Sequence, residues 1–268
     1  MAMALLLTTQ YLTKRFHAFT ALDALTISIE EGEIFSLLGP NGAGKSTCIK
    51  LLTTLLKPSS GDAIIDGVSV VDHPFRIRRL IGYVPQMISV DGTLTGYENL
   101  LLFAKLYDLP SQEAKQRVNE YLGFMELQEA AHKPVRTYSG GMIRRLEIAQ
   151  SMMHRPKMLF LDEPTTGLDP IGVQTVWQHI LELKKQFNTT ILLTTHIMDE
   201  ADKLSDHVAF LSRGKLAAVG TPEELKKSVQ SIDSSMEDVF IHYTKESPDS
   251  ERGFHEVATE RKTTRRLG

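Results

Sequence analysis

Glu33-Ile34-Phe35-Ser36-Leu37-Leu38, followed at once by Gly39-Pro40-Asn41-Gly42-Ala43-Gly44-Lys45-Ser46-Thr47, decides the fold of this chain. The apolar run reads as a buried strand, and the residues from Lys45 to Leu56 carry helical apolar spacing until Pro58 stops them. Strand, glycine loop and helix in that order make a phosphate cradle. Consecutive backbone N–H groups face inward and the positive end of the helix dipole reinforces them. Gly42 and Gly44 permit the tight path, Lys45 brings a positive charge to terminal phosphates, and the Ser46 hydroxyl suits Mg²⁺, a hard cation that prefers oxygen ligands.

A second apolar run, Met158-Leu159-Phe160-Leu161, ends in Asp162-Glu163. This places two carboxylates at the carboxyl edge of a central strand, where the ligands of α/β sheets collect. Asp162 suits Mg²⁺ through water, and Glu163 suits orienting and deprotonating an attacking water. From Met158 onward the chain alternates strand and helix: a helix over Val173 to Phe187, a strand over Thr189 to Thr195 ending in His196, a short helix, and a strand over His207 to Leu211. Such alternation predicts a parallel sheet covered on both faces.

The flanking regions differ. Leu5 to Leu7 reads as an edge strand, and Asp62 to Ile65, the Asp66-Gly67 turn and Val68 to Val70 predict an antiparallel hairpin. Between about residues 95 and 154 a separate helical lobe is expected. Thr95 and Glu98 form a capping box there, Pro110 breaks the first helix, and Ser111 caps a second that Gly123 ends. A third helix follows Tyr138-Ser139-Gly140-Gly141-Met142, a small-residue turn that presents another set of N–H donors. Thr221-Pro222-Glu223-Glu224 starts a further helix. Cys48, the only cysteine, is expected to be an inert packing residue.

The glycine loop, Ser139-Gly140-Gly141 and Leu161-Asp162-Glu163-Pro164 occur in the order and spacing of the ATP-binding cassette transporter ATPases, and the chain resembles that family from about Leu5 to Phe240. The resemblance implies a P-loop cassette: a RecA-like mixed sheet core, an N-terminal antiparallel β subdomain and an α-helical subdomain within residues 1–244. It implies ATP and Mg²⁺ held by residues 39–47 (Gly39, Pro40, Asn41, Gly42, Ala43, Gly44, Lys45, Ser46 and Thr47) together with Asp162 and Gln86, with Glu163 and His196 catalytic. Two chains, or this chain and a homologous one, would sandwich two ATP molecules between one chain's glycine loop and the other's Ser139, Gly140 and Gly141. Asp169 would then lie at the dimer contact. Phe16 is the first choice for stacking on adenine, with Tyr11 or Phe19 as alternatives. The signature departs from the usual pattern at Tyr138 and Met142, which alters its flanks and keeps its centre.

Thr165 to Pro170 and Ser235 to Phe240 resemble the detached ATPase subunits of bacterial drug, polysaccharide or lipid exporters. That narrower resemblance implies an integral membrane permease as partner, docked on the surface from Met87 to Leu109, and a cytoplasmic location on the inner membrane face. Importer ATPases and membrane-independent cassettes on ribosomes or DNA are the alternative. Ribosome-associated members fuse two cassettes, and only one glycine loop occurs here; DNA-repair members need a coiled coil for which residues 46–138 leave no room. A small-molecule kinase would leave the signature and His196 without purpose.

Across 268 residues, 42% are hydrophobic, enough for a well-buried core, and the formal charge of −3 gives no global drive toward nucleic acid. No apolar run approaches membrane-spanning length. Residues 245–268 balance their charges and carry few large apolar side chains, so they are expected to be a disordered tail, whose Arg261 to Arg266 segment is a candidate contact for lipid headgroups.

Overall fold

A computed structural model describes residues 4–229 and 234–245. In chain order its elements are β1 (Leu5–Phe16), β2 (Phe19–Leu25), β3 (Ser28–Glu30), β4 (Ile34–Leu38), α1 (Lys45–Leu52), β5 (Ser60–Ile65), β6 (Val68–Ser69), α2 (Pro74–Leu80) and β7 (Ile81–Val84). Next come α3 (Gly96–Leu106), α4 (Ser111–Phe124), α5 (Gly140–Met152), β8 (Met158–Asp162) and α6 (Pro170–Phe187). The chain continues through β9 (Thr190–Thr195), α7 (Met198–Leu204), β10 (His207–Ser212), β11 (Lys215–Gly220), α8 (Pro222–Ser228) and α9 (Met236–Lys245). The disordered-tail and lipid-contact expectations fall, beyond Lys245, outside the described residues.

The core sheet runs β11-β10-β4-β9-β8-β7, parallel except for β11 at one edge. Side chains alternate across it as a two-residue period requires. Leu159, Leu161, Ile191 and Leu193 enter one apolar layer together with residues of α4, α5 and α6. Met158, Phe160, Leu192, Phe35 and Leu37 enter the opposite layer with α1 and the antiparallel strands. Both faces are covered, which explains why β4, β8 and β9 are buried at every position.

Some expected boundaries shift. β1 is not an edge strand: it lies between β2 and β5 and also pairs with β3, with Leu7 and Leu12 fully buried. Helix α1 stops at Leu52 rather than Leu56, because Thr53 donates its hydroxyl to the Ile49 carbonyl and Thr54 turns left-handed at φ 62°. The Leu56 N–H then closes onto the Lys50 carbonyl, which satisfies one of the helix's last orphan acceptors. Pro110, not Ser111, occupies the cap of α4, and that helix runs past Gly123 to Phe124, the left-handed residue being Glu126. Helix α6 begins at Pro170, three residues before the periodicity signals it, because Asp169 caps it through Gly172 N–H. The capping boxes at Thr95 and Thr221 form as expected.

The helical lobe of α3, α4 and α5 is pinned by Tyr138. Its hydroxyl donates to the Ala130 carbonyl at 2.6 Å, so the side chain turns into the lobe while the following Ser139 faces outward. A Cβ on Gly96 would lie 2.4 Å from that hydroxyl. Gly96→Ala is therefore expected to destabilise the chain by about 1–3 kcal/mol, lowering the melting temperature by roughly 2–4 °C per kcal/mol, and Tyr138→Phe in the same chain should restore part of it.

His154 closes the other end of the lobe, stacked on Tyr107 with ring centroids 3.8 Å apart and Nε2 2.9 Å from the Ile81 carbonyl. Burial pushes its imidazole from the ordinary 6.5 down to about 4; the Ile81 bond opposes this and Arg117 adds to it. The unfolded chain thus takes up a proton near pH 6.5 that the folded chain refuses until about pH 4. This contribution is complete above pH 6.5 and is lost on acidification, up to about 3 kcal/mol by pH 4. Urea unfolding of His154→Gln should show a correspondingly shallower pH dependence over that interval.

Candidate active site

Strand register assembles the site. Leu38 pairs with Thr195, Asp162 with Thr194 and Val84 with Leu161, so β4, β9, β8 and β7 end side by side. The glycine loop, His196, Asp162-Glu163 and Gln86 leave these strands at the same edge.

The loop follows the expected path. Gly42 and Gly44 have φ of 81° and 104°, and a Cβ on Gly44 would lie 2.6 Å from the Ala21 carbonyl, so a side chain is excluded by both backbone and space. Residues 41–47 line a cleft of about 440 Å³ together with Gln86, Glu163, Phe19 and Ala21. Phe16 is not among its lining residues; Lys14 Nζ lies 5.1 Å over the Phe16 ring instead. Phe19, across the hairpin turn, is the aromatic beside the cradle.

Glu163 stands at an abrupt turn after β8, left-handed at φ 48°. Such a conformation costs on the order of 1–3 kcal/mol for a residue with a side chain, and it persists only when neighbours fix it. Here Thr194 does so. The Glu163 N–H donates to the Thr194 carbonyl and hydroxyl oxygens at 3.1 and 3.0 Å, and the same hydroxyl donates to Asp162 Oδ1 at 2.6 Å. One threonine fixes the Asp162 carboxylate and the Glu163 backbone.

The buried Glu163 Oε2 accepts from Gln86 Nε2 and from the Thr166 hydroxyl, each at 3.1 Å, and lies 3.3 Å from His196 Nδ1. Its Oε1 is 3.7 Å from Lys45 Nζ, which donates to the Gly39 and Pro40 carbonyls. Burial pushes the Lys45 ammonium below its usual range while Glu163 works against the shift. The Ser46 hydroxyl donates to Asp162 Oδ1 at 3.1 Å. The Ser46 hydroxyl and the Asp162 carboxylate thus meet beside the cradle, hard oxygen donors that fit Mg²⁺. No group of three or more His, Cys, Asp or Glu is arranged to hold a metal ion among the described residues, so such a cation would complete its shell from phosphate and water.

Ser139, Gly140, Gly141 and Asp169 meet in a different cleft, of about 380 Å³, that shares no lining residue with the first. Ser139 caps α5 by accepting from Met142 N–H at 3.2 Å. Cys48 is fully buried with its thiol pushed up to about 12, in keeping with a packing role. Sequence reasoning missed Thr194, Thr166, Arg144 and Glu147. For Thr194, Arg144 and Glu147 the signal was a polar or charged residue inside an otherwise apolar strand or helix pattern; Thr166, in the turn after β8, gave none.

A parallel sheet whose carboxyl edge carries a glycine-loop phosphate cradle, a strand-end Asp-Glu pair and a facing histidine defines a P-loop nucleoside triphosphatase. Residues 22–166 match the ABC transporter family, and the chain belongs to it. It is 44% identical over 223 residues to the daunorubicin/doxorubicin resistance ATP-binding protein DrrA of Streptomyces peucetius, covering 83% of this chain and 67% of that one. It is 40% identical over 220 residues to the Nod factor export ATP-binding protein I of Ralstonia nicotianae, covering 82% and 68%. Among solved structures, an ATP-binding subunit of an ABC transporter superposes with TM-score 0.79 at 29% identity, covering 89% of this chain and 99% of that one. A dimeric, post-hydrolysis cassette bound to ADP and phosphate gives 0.72 at 27% identity, covering 80% and 98%. The chain is an ATP-binding, ATP-hydrolysing cassette. Among its described residues no helix is long and apolar enough to cross a membrane.

Proposed function

We propose that this chain energises export through a separate integral membrane permease, as two cassettes that close around two ATP–Mg²⁺. The separation of the Glu163 cleft from the Ser139 cleft supports this reading, in which one chain offers two complementary half-sites and neither is complete alone. Residues 39–47 hold the phosphates, Phe19 stacks on the base in place of Phe16, and Ser46, Asp162 and Gln86 supply ligands to Mg²⁺. The cation, when bound, screens phosphate charge in the transition state. Glu163 takes a proton from the attacking water, and His196 steadies the terminal phosphate. Ser139, Gly140 and Gly141 of the second chain donate to the same phosphate, with Asp169 between the two sites.

Relatives whose names state drug resistance or export support export over import. The exposed Met87, Ile88, Leu102 and Leu106 supply an apolar surface for the permease on the inner membrane face.

Dilution tests the shared site. Hydrolysis per chain should fall as the protein is diluted, and Ser139→Arg should spare ATP binding by the monomer while cutting hydrolysis at least ~100-fold. A rate per chain that ignores dilution, or a Ser139→Arg chain that still pairs with ATP, would sink the model.

A further inference from the structure

Helix α5 starts at the signature turn and, one turn further on, carries Arg144 and Glu147, two opposite charges only 5% and 2% exposed. Arg144 Nη1 lies 3.0 Å from Glu147 Oε2. A buried pair of this kind is a weak source of stability, so its partners are informative. Arg144 donates to the Pro85 carbonyl at 2.8 Å and to the Gln86 carbonyl at 3.1 Å. Glu147 Oε1 accepts from the Ser89 N–H at 2.6 Å and the Ser89 hydroxyl at 2.9 Å. Four hydrogen bonds therefore grip the chain on both sides of Met87-Ile88, which stand 82% and 65% exposed. The Gln86 side chain points the other way, to Glu163.

We infer that Arg144 and Glu147 are positioning residues that strap residues 85–89 to α5. Engagement of the second chain's ATP by Ser139-Gly140-Gly141 then moves Gln86 and the exposed Met87-Ile88 pair together with the helix. The signature of one site is thereby tied to the Glu163 environment of the other and to the permease-facing surface. This rests on the shared-site reading above, and the coupling element is a helix with its strapped loop rather than a diffuse path.

The test uses the full chain carrying Ile88→Cys labelled with a polarity-sensitive fluorophore, in a Glu163→Gln background. Cys48, buried and with its thiol pushed up to about 12, does not compete for the label. ATP–Mg²⁺ should pair the parent chains on size-exclusion chromatography and shift the label's emission. With Arg144→Met, ATP affinity should stay within about twofold while the emission shift falls at least ~fivefold; with Glu163 intact, kcat should fall about tenfold at unchanged KM. Arg144→Lys, reaching fewer carbonyls, should recover part of both. Glu147→Met removes the acceptor for both Ser89 bonds and so releases the other side of the loop, and it serves where Arg144→Met does not fold. If the parent pairs and either foldable variant keeps the full shift and kcat, the strap is overturned. If the parent itself does not pair, the shared-site reading fails first.

Discussion

Glu163→Gln is expected to slow phosphate release by about 10²–10⁴-fold while an ATP-bound pair of chains accumulates on size-exclusion chromatography. The amide is nearly isosteric, so the left-handed turn and the bonds from the Glu163 N–H to Thr194 survive. Its carbonyl still accepts from Gln86 or Thr166, which now hold Oε2 at 3.1 Å. What disappears is the proton acceptor and one negative charge beside the phosphates. Losing the first stops hydrolysis, and losing the second favours retention of ATP. Normal turnover in this variant would remove Glu163 from the role of base.

Lys45→Ala should abolish productive ATP binding by a different route. The Nζ sits among the Gly39 and Pro40 carbonyls and 3.7 Å from Glu163, a buried cation placed at the cradle. Truncating one member of a buried charged contact costs about 2–5 kcal/mol of binding, which corresponds to a dissociation constant raised ~30-fold or more. Without nucleotide only the bonds to the two carbonyls are lost, on the order of 1 kcal/mol or more each. Titration with a fluorescent ATP analogue, beside melting curves taken without nucleotide, separates the two effects. ATP affinity unchanged within error would show that the phosphates lie elsewhere.

The site was legible where local backbone chemistry sets it. A phosphate cradle needs consecutive N–H groups on a glycine path, so residues 39–47 announce themselves, as does Asp162-Glu163 after four apolar residues. The aromatic beside the cradle was not legible. Phe16 and Phe19 flank the same hairpin turn, and only the fold of β1 against β2 put Phe19 at the cleft. Thr194, placed opposite Asp162 by parallel register, emerges only when β8 and β9 pair.

The same division holds for the fold. Sequence alone determined the alternating strands and helices, the capping boxes at Thr95 and Thr221, and the strand-loop-helix start, because each arises from contacts within a few residues. Tertiary structure decided that β1 is internal and that Arg144 and Glu147 grip a loop some 58 residues away in the chain. Those outcomes depend on which surfaces meet in space, and burial between distant segments leaves no period in the sequence to read.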